Sequence, residues 1–329
     1  MIPVKIDKKI VSVKMISVII PVYNSENTIS ACLDSVMNQT FSDFEIVCIN
    51  DGSVDNSLKI LNCYQNKDQR IKVYSIENHG QAYARNYGIE KSQGDFICFI
   101  DADDSVERGY LEKLNTALTQ NNSDISICGM RRIFKKKTNW LERNFMYYLP
   151  VSEEQTVRIS DRPELLLSII NAPYCKLIRK SFLDKHQIKF LEGRIYEDLY
   201  FTQSLLLNNP KVSIVSSSLY RYFVYEGSTM TSKKSRHEDM YVVMRALLNE
   251  YISSDIYETV KDEVEYLTFH HVAIGTVYRS FSKHMFSFAG EVKKSRSFLK
   301  EYGFTTKNKY CYRTSWLVQL YFRVFFSFL

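Results

Sequence analysis

The chain has 329 residues, of which 45% are hydrophobic, 24% charged and 14% aromatic, and its formal net charge is +6. This composition is ordinary for a globular protein and excludes an intrinsically disordered chain, and the length allows roughly two domains. The positive charge is modest, so we predict no nucleic-acid partner and interpret the basic clusters as solvated faces, with attraction to phosphate or anionic lipid as the alternative.

The cysteines and the first residues indicate the cellular compartment. The seven cysteines are odd in number and form no Cys-x-x-Cys pair, which is typical of small core residues in a reducing compartment. Residues 1–14 form an N-terminal extension that lacks the long apolar core of a signal peptide. We therefore predict a cytoplasmic protein.

From residue 15 onward, apolar runs alternate with helical patterns. The run at 15–24 predicts a buried strand stopped by Pro21, and a helix is predicted to begin at Ser25. This alternation continues and predicts an α/β fold with a doubly wound, mostly parallel sheet flanked by helices. The further strands are predicted at 44–53, 71–76 and 96–100, and the further helices at 54–66 and 81–91.

Three carboxylates follow the fourth predicted strand. Asp101, Asp103 and Asp104 come directly after the apolar residues 96–100, and ligands bind at the carboxyl ends of central strands in open α/β sheets. An acid-x-acid pair there suits a divalent cation that phosphates also hold, and three neighbouring acids without a cation would repel one another. The alternative is that Asp104 or Ser105 caps the following helix.

The glycine-rich phosphate loops of the commonest α/β folds are missing from the sequence. It contains no Gly-x-Gly and no Gly-Lys-Ser/Thr, which argues against a dinucleotide-binding Rossmann unit and a P-loop. Phosphate charge must then be met by a metal and by side chains. Arg85, on the helix before the acidic strand, has a planar guanidinium that suits phosphate oxygens. A surface salt bridge is the alternative for Arg85.

Four motifs together carry a resemblance to a known family. They are PVYN at 21–24, NDGS at 50–53, NHGQAYARNYG at 78–88 and DADD at 101–104. In this order and spacing they resemble the nucleotide-binding half of the family 2 glycosyltransferases, which are inverting enzymes of the GT-A fold. The resemblance covers about the first third of the chain, and the motifs are specific only in combination.

The resemblance implies a site for the donor nucleotide at the first two strand ends. Tyr23 would lie against the base, with its ring stacked on it, and Pro21 and Asn24 would also bind the donor. Asp51 would accept a hydrogen bond from the imide nitrogen of a uracil. The alternatives are a core or loop position for Tyr23 and a helix-preceding cap for Asp51.

The same resemblance implies a metal and diphosphate site at the acidic strand end. Asp103 would be a direct ligand of Mn²⁺ or Mg²⁺, and Asp101 would be shared between the metal and the ribose. Ala102, between them, would also contact the donor. Arg85 would contact the ribose or the diphosphate.

The stretch at 171–186 resembles a family segment that usually reads Trp-Asn-Lys-Leu. Tyr174 and Cys175 replace the tryptophan and the asparagine here, which puts the acceptor contacts of these two positions in doubt. Lys176 remains, and its point charge would meet the donor phosphates or an acceptor phosphate. A surface lysine is the alternative.

A second pair of acids, Glu197 and Asp198, precedes helix-spaced apolar residues. An inverting transfer is a single in-line displacement, so one carboxylate must take the proton of the acceptor hydroxyl. The resemblance implies that Asp198 is this base, with Glu197 beside it. The alternative is that both acids only interact with the helix dipole. Residues 220–235 then resemble the family's strand and lid loop, with Gly227 as the hinge.

The last third of the chain has helical periodicity. Residues 316–329 are almost wholly apolar, with polar residues at intervals of four, which predicts an amphipathic helix in a membrane interface. Its length of about 21 Å is short of the roughly 30 Å hydrocarbon core, so it should not cross a membrane alone. The alternative is a helix packed in a homodimer interface or under the main domain.

We therefore predict a nucleotide-sugar-binding half at 15–120, an acceptor half with base and lid at 121–235, and a helical region at 236–329. The function that this organisation and the resemblance imply is metal-dependent transfer of a sugar from a UDP-sugar donor to a glycan acceptor. The acceptor would be lipid-linked, at the inner face of the bacterial plasma membrane, in cell-surface polysaccharide synthesis. A nucleotidyltransferase of related fold and a non-catalytic nucleotide-sugar-binding scaffold are the alternatives.

Overall fold

The predicted α/β fold is confirmed by the computed structural model. Within the part of the chain that it describes, nine strands form one mixed sheet, and helices lie on both faces. The described residues are 15–134, 154–224, 237–276, 288–305 and 307–311.

The amino-terminal part of the sheet is parallel, as predicted. Its elements are β1 (Ile16–Val22), α1 (Ile29–Met37), β2 (Phe44–Asp51), α2 (Ser57–Gln65), β3 (Ile71–Ile76), α3 (Gln81–Lys91) and β4 (Phe96–Phe99). The strands lie in the order β3-β2-β1-β4, and each pairing is parallel. The ends of β1, β2 and β4 therefore meet at one edge of the sheet.

The remaining strands make the sheet mixed, whereas the sequence predicted a mostly parallel one. The elements are β5 (Ser105–Val106), α4 (Tyr110–Gln120), β6 (Ile125–Phe134), β7 (Gln155–Arg158), α5 (Leu165–Ser168), β8 (Lys176–Arg179), α6 (Lys180–His186), α7 (Glu197–Leu206) and β9 (Lys211–Val224). The order continues β4-β8-β6-β9-β5, and β8 is antiparallel to both of its neighbours.

Most of the described residues after β9 are helical, as predicted. They form α8 (His237–Ile252), α9 (Tyr257–Thr268), a π-helix (Phe269–Thr276) and α10 (Phe288–Glu301). Among the described helices, none combines the length and apolar character needed to cross a membrane. The predicted extension at 1–14, the hinge Gly227 and the predicted amphipathic helix at 316–329 lie outside the described residues.

Side chains alternate between the two faces of the sheet, and each face packs against helices. Ile19 of β1 and Val47 of β2 belong to the core covered by α7, α8 and α9. Ile20 and Cys48, the next residues, belong to the core covered by α1, α2 and α4. Because both faces are buried, polar groups can gather only at the strand ends.

Two local predictions were wrong. β1 continues through Pro21 instead of stopping there. Pro21 lies beyond Ile19, the last β1 residue paired with β4, so its missing N–H costs no hydrogen bond to that strand. α1 begins at Ile29 rather than Ser25, whose carbonyl instead accepts the Ile29 amide at the end of a turn.

Candidate functional site

The first part of the site is the exit of β1. Tyr23 follows this strand, and 51% of its surface is exposed, so its ring is open to a ligand. Asn24 has a φ of 48°, in the left-handed region that asparagine tolerates. Its side-chain oxygen accepts the Val54 backbone amide at 2.9 Å, and its backbone amide donates to Ser53 Oγ at 3.1 Å. Asn24 thus ties the exit of β1 to the loop after β2.

Asp51, at the end of β2, is buried and anchors the loop before α3. Its two carboxylate oxygens accept the amides of His79 at 2.8 Å and Gly80 at 2.9 Å. Gly52 has a φ of 68°, and a Cβ there would lie 2.8 Å from the Asn78 nitrogen, so the close approach of the two loops requires glycine. Asp51 is not a helix cap, because α2 begins only at Ser57. Each oxygen retains a further acceptor direction for a ligand.

Arg85 is buried on α3 and joins the two halves of the site. Its guanidinium donates to Asp101 at 2.8 Å and to Glu197 at 3.2 Å, and it lies 5.3 Å from the ring centre of Phe190. The alternative of a surface salt bridge is therefore wrong. A buried charge needs compensation, and Arg85 obtains it from one carboxylate of each half.

The acid pair, Asp101 and Asp103, follows β4 at the carboxyl ends of the parallel strands. Gln81 donates to Asp101 at 3.3 Å on the oxygen that also accepts Arg85. Asp103 is exposed, yet partial desolvation, followed by repulsion from Asp101, raises the pKa of its carboxyl to about 6. The pKa is raised because the charge of Asp103 is not offset by a neighbouring cation, whereas that of Asp101 is offset by Arg85.

These two carboxylates fit a Mg²⁺ or Mn²⁺ ion that is completed by its ligand. Among the described residues, no group of three or more His, Cys, Asp or Glu side chains could hold a metal ion alone. Magnesium is usually bound by one or two carboxylates together with phosphate oxygens and water, and hard oxygen ligands also suit manganese. Asp101 and Asp103 match that protein contribution in number and in ligand type.

Asp104, the third acid, has a role that the sequence did not reveal. It is buried, and its oxygens accept the Tyr220 hydroxyl at 2.8 Å and the Phe223 amide at 2.9 Å. The Tyr220 oxygen also accepts the Asp101 amide at 3.1 Å. Burial, followed by repulsion from Asp101, raises the pKa of Asp104 to about 8. The predicted cap is wrong, because α4 begins at Tyr110.

The turn after the acid pair is therefore fastened to β9. The short strand β5 pairs with β9, and Glu107 forms an ion pair with Arg221 at 2.6 Å. Together with the hydrogen bonds of Asp104, these contacts fix the turn that carries Asp101 and Asp103. The carboxylate of Asp104 is committed to β9, so it is not available as a third metal ligand.

Lys176 is buried at the start of β8, so the alternative of a surface lysine is wrong. Its ammonium donates to the carbonyls of Ile170 at 2.7 Å, Ala172 at 2.6 Å and Tyr174 at 3.5 Å. Burial lowers the pKa of Lys176 to about 8. An ammonium has three hydrogens, and three carbonyls engage them. Lys176 thus holds the preceding loop, and its ammonium has no hydrogen left for the predicted contact with a phosphate.

Tyr174 supplies an aromatic ring where the resembling family usually has tryptophan. Its ring stacks on that of Tyr220, with centroids 4.5 Å apart and planes 12° apart, and the ring of Tyr222 lies 6.0 Å away. Cys175, in place of asparagine, has a φ of 61°, a strained conformation for this residue type. The stack lies beside the acid turn, because Tyr220 binds Asp104.

Glu197 and Asp198 begin α7, as predicted, and Arg85 brings them to the acid pair. Asp198 accepts the Leu199 amide at 2.7 Å. Burial, followed by repulsion from Glu197, raises the pKa of Asp198 to about 7, while the charge of Arg85 opposes this shift. A carboxylate with a pKa near neutrality is suited to take a proton. The helix-dipole alternative is compatible with this position but does not account for the contact between Glu197 and Arg85.

Comparisons with known proteins identify the family of the chain. The family model described as "Glycosyl transferase family 2" matches residues 17–187. Glycosyltransferase GlyA of Streptococcus pneumoniae is 32% identical over 218 residues, which make up 65% of this chain and 31% of that protein. Poly(ribitol-phosphate) beta-N-acetylglucosaminyltransferase TarS of Staphylococcus aureus is 30% identical over 266 residues, 77% of this chain and 44% of that protein.

A solved structure shares the fold over most of the chain. S. aureus TarS in complex with UDP-GlcNAc superposes with a TM-score of 0.74 and 26% sequence identity, over 87% of this chain and 81% of that one. The chain nevertheless spans less than half the length of the two curated relatives described above.

Proposed function

The chain belongs to glycosyl transferase family 2, and from this premise we propose that it transfers a sugar, with inversion, from a uridine diphosphate donor to a hydroxyl group of a glycan acceptor. The observation that carries the proposal is the bridge made by Arg85, which joins Asp101 to Glu197. This bridge puts the acid pair at the end of β4 next to Asp198, the candidate base.

Asp198 is the proposed base of a single displacement. Its carboxylate takes the proton of the acceptor hydroxyl while the hydroxyl oxygen attacks the anomeric carbon. The bond from that carbon to the diphosphate oxygen breaks on the opposite face, and the diphosphate leaves with the bonding electrons. The product therefore has the opposite anomeric configuration to the donor.

Asp101 and Asp103 are the proposed ligands of Mn²⁺ or Mg²⁺, with Ala102 between them at the donor. When bound, the cation would neutralise the charge that develops on the departing diphosphate. The contribution of the chain is to hold the two carboxylates in place, through Arg85 on Asp101 and through Asp104 on β9.

We propose that Pro21, Tyr23 and Asn24 form the base side of the donor site, with Tyr23 stacked on the uracil and Asp51 accepting from its imide. TarS bound to UDP-GlcNAc supports a uridine donor. Asp51→Asn should weaken UDP binding by about 1–3 kcal/mol, because one acceptor oxygen becomes a donor. Titration calorimetry with UDP measures this effect.

Calorimetry with GDP separates a base contact from the loop anchor that Asp51 provides to His79 and Gly80. If Asp51 reads the uracil, Asp51→Asn should lower the affinity for UDP more than that for GDP. An equal loss for the two nucleotides would assign Asp51 to the loop alone and contradict its contact with the base.

The activity should depend on pH through the carboxyl of Asp198. The base must be ionised, so kcat should rise with pH through an apparent pKa of about 7. Arg85→Gln removes a positive charge that lowers this pKa, so the rising limb should move to higher pH. Arg85→Lys keeps the charge and should leave the limb closer to its original position. The pH–kcat profiles of the unmodified chain, Arg85→Gln and Arg85→Lys test this. If the rising limb of Arg85→Gln stays at its original pH, the charge of Arg85 does not affect the pKa of Asp198.

We further propose a lipid-linked glycan acceptor and a location on the inner face of a bacterial plasma membrane. Relatives such as TarS, which acts on poly(ribitol-phosphate), support a cell-surface polymer as the acceptor. The segment at 316–329 stays a predicted membrane contact, and homodimerisation stays its alternative. Turnover of a UDP-sugar by the purified chain distinguishes the proposed enzyme from a non-catalytic scaffold.

A further inference from the structure

A second polar cleft lies at the amino end of β4, whereas Asp101 and Asp103 follow its carboxyl end. Its volume is about 270 Å³. Arg179, which lines it, pairs with Phe96 at the amino end of β4, whereas Asp101 follows the carboxyl end of that strand. Phe96 and Asp101 are about 16 Å apart along an extended strand. The cleft is therefore separate from the proposed donor site.

The lining of this cleft has an excess of positive charge. Arg158, Arg179 and Lys185 contribute three cations, and Asp124 contributes one carboxylate. One oxygen of Asp124 already accepts the Lys211 amide at 2.8 Å. None of the three cations forms an ion pair with another residue in the described part of the chain. With three cations and one carboxylate, the lining keeps a net positive charge, which attracts an external anion.

Two of the cations are held in place by backbone carbonyls. Arg179 donates to the Ser123 carbonyl at 2.9 Å and lies 5.3 Å from the ring centre of Phe96. Arg158 donates to the Asn209 carbonyl at 2.9 Å. A guanidinium has five N–H groups, so each arginine keeps donors for a ligand. Pre-oriented donors reduce the entropy lost on binding.

We infer that this cleft binds the phosphate group of a small polyol or sugar phosphate. Two guanidinium groups and an ammonium match the charge and geometry of phosphate oxygens. The volume is just below the range of about 300–1,000 Å³ typical of pockets for larger ligands, so a complete nucleotide sugar is too large. Asn208 and Ser181 also line the cleft, and amide and hydroxyl groups of these residue types can bind the hydroxyl groups of a polyol.

Calorimetric titration of the full chain with inorganic phosphate and with glycerol phosphate tests the inference. The double variant Arg158→Gln/Lys185→Gln removes two exposed cations of the cleft. The matched control Lys59→Gln/Lys189→Gln removes two exposed lysines that lie outside it. We expect phosphate and glycerol phosphate to bind at least tenfold more weakly to the double variant than to the control. Equal affinity in the two proteins would overturn the inference.

Two sources of the same chemical group can be separated in parallel. Soluble glycerol phosphate and vesicles of phosphatidylglycerol both present a glycerol-linked phosphate. Binding of free glycerol phosphate assigns the cleft to a soluble ligand, whereas co-sedimentation with these vesicles alone assigns it to a lipid headgroup. In either case, binding that depends on Arg158 and Lys185 supports the inference. If none of these probes binds, the inference is overturned.

Binding of UDP to the same variants separates this cleft from the donor site. UDP affinity should be equal in the double variant and the control, because the cleft lies at the other edge of the sheet. A parallel loss of UDP affinity would mean that Arg158 and Lys185 support the fold, and it would overturn the inference. Failure of the proposed transfer reaction would leave the phosphate titration unaffected.

Discussion

Replacing Asp198 with asparagine is expected to lower kcat by about 10²- to 10⁴-fold, because it removes the group that we propose takes the proton of the acceptor hydroxyl. The amide keeps the shape of the side chain, and its oxygen can still accept the Leu199 amide that the carboxylate accepts at 2.7 Å. The affinity for the donor should stay close to that of the unmodified chain. Steady-state kinetics and donor titration measure the two effects separately.

Glu197→Gln is the matched control for this experiment, since it also neutralises an acid in the first turn of α7. Glu197 is paired with Arg85 and is not the proposed base, so its neutralisation should reduce kcat less than Asp198→Asn does. The anomeric configuration of the product is a second measurement. A product that retains the configuration of the donor, or near-normal kcat in Asp198→Asn, would remove Asp198 from the role of base.

Local sequence patterns predicted the amino-terminal half of the fold well. The predicted β3 and α3 agree with the observed Ile71–Ile76 and Gln81–Lys91, because strand and helix periodicities are properties of neighbouring residues. The direction of β8 was not predictable in this way. It depends on the end of the sheet from which the chain returns, and a run of four residues carries no such information.

The site shows the same division between local and distant information. The acid pair and the Glu-Asp pair are visible in the sequence because each sits at the end of an apolar run or the start of a helical pattern. The partners of Arg85 and Asp104 are not, since Glu197 is 112 residues from Arg85 and Tyr220 is 116 residues from Asp104. Spacing in the sequence does not reveal which distant groups meet at a sheet edge.

Lys176 shows that the sequence also does not reveal whether a charged side chain is buried. Lysine side chains are usually solvent-exposed, so a surface position or a phosphate contact was the natural prediction. The three carbonyls that bind it belong to a loop whose path is set by the packing of Ile170 and Ala172 in the core. Only the folded structure shows that the ammonium of Lys176 is buried and bound by carbonyl groups.

Asp103→Asn is expected to abolish metal-dependent turnover. The substitution halves the anionic charge of the pair that we propose as the metal site, and an amide is a weaker ligand for a hard cation than a carboxylate. A bound cation stabilises the departing diphosphate by several kcal/mol, so the rate should fall by about 10³-fold or more. Calorimetry should also show weaker binding of Mn²⁺ in the presence of UDP, which is a readout independent of turnover.

Asp184→Asn is a matched control for Asp103→Asn, because it removes an exposed carboxylate from α6 and changes the net charge equally. It should leave both Mn²⁺ binding and turnover unchanged. The packing of the turn should survive in Asp103→Asn, since Asp104 and Glu107 still fasten it to β9, and an unchanged melting temperature would verify this. Full activity in excess chelator, or equal Mn²⁺ affinity in the two variants, would rule out Asp103 as a metal ligand. The Arg85 bridge would then neutralise only the protein's own carboxylates, and the charge of the departing diphosphate would have to be met by other cations of the chain.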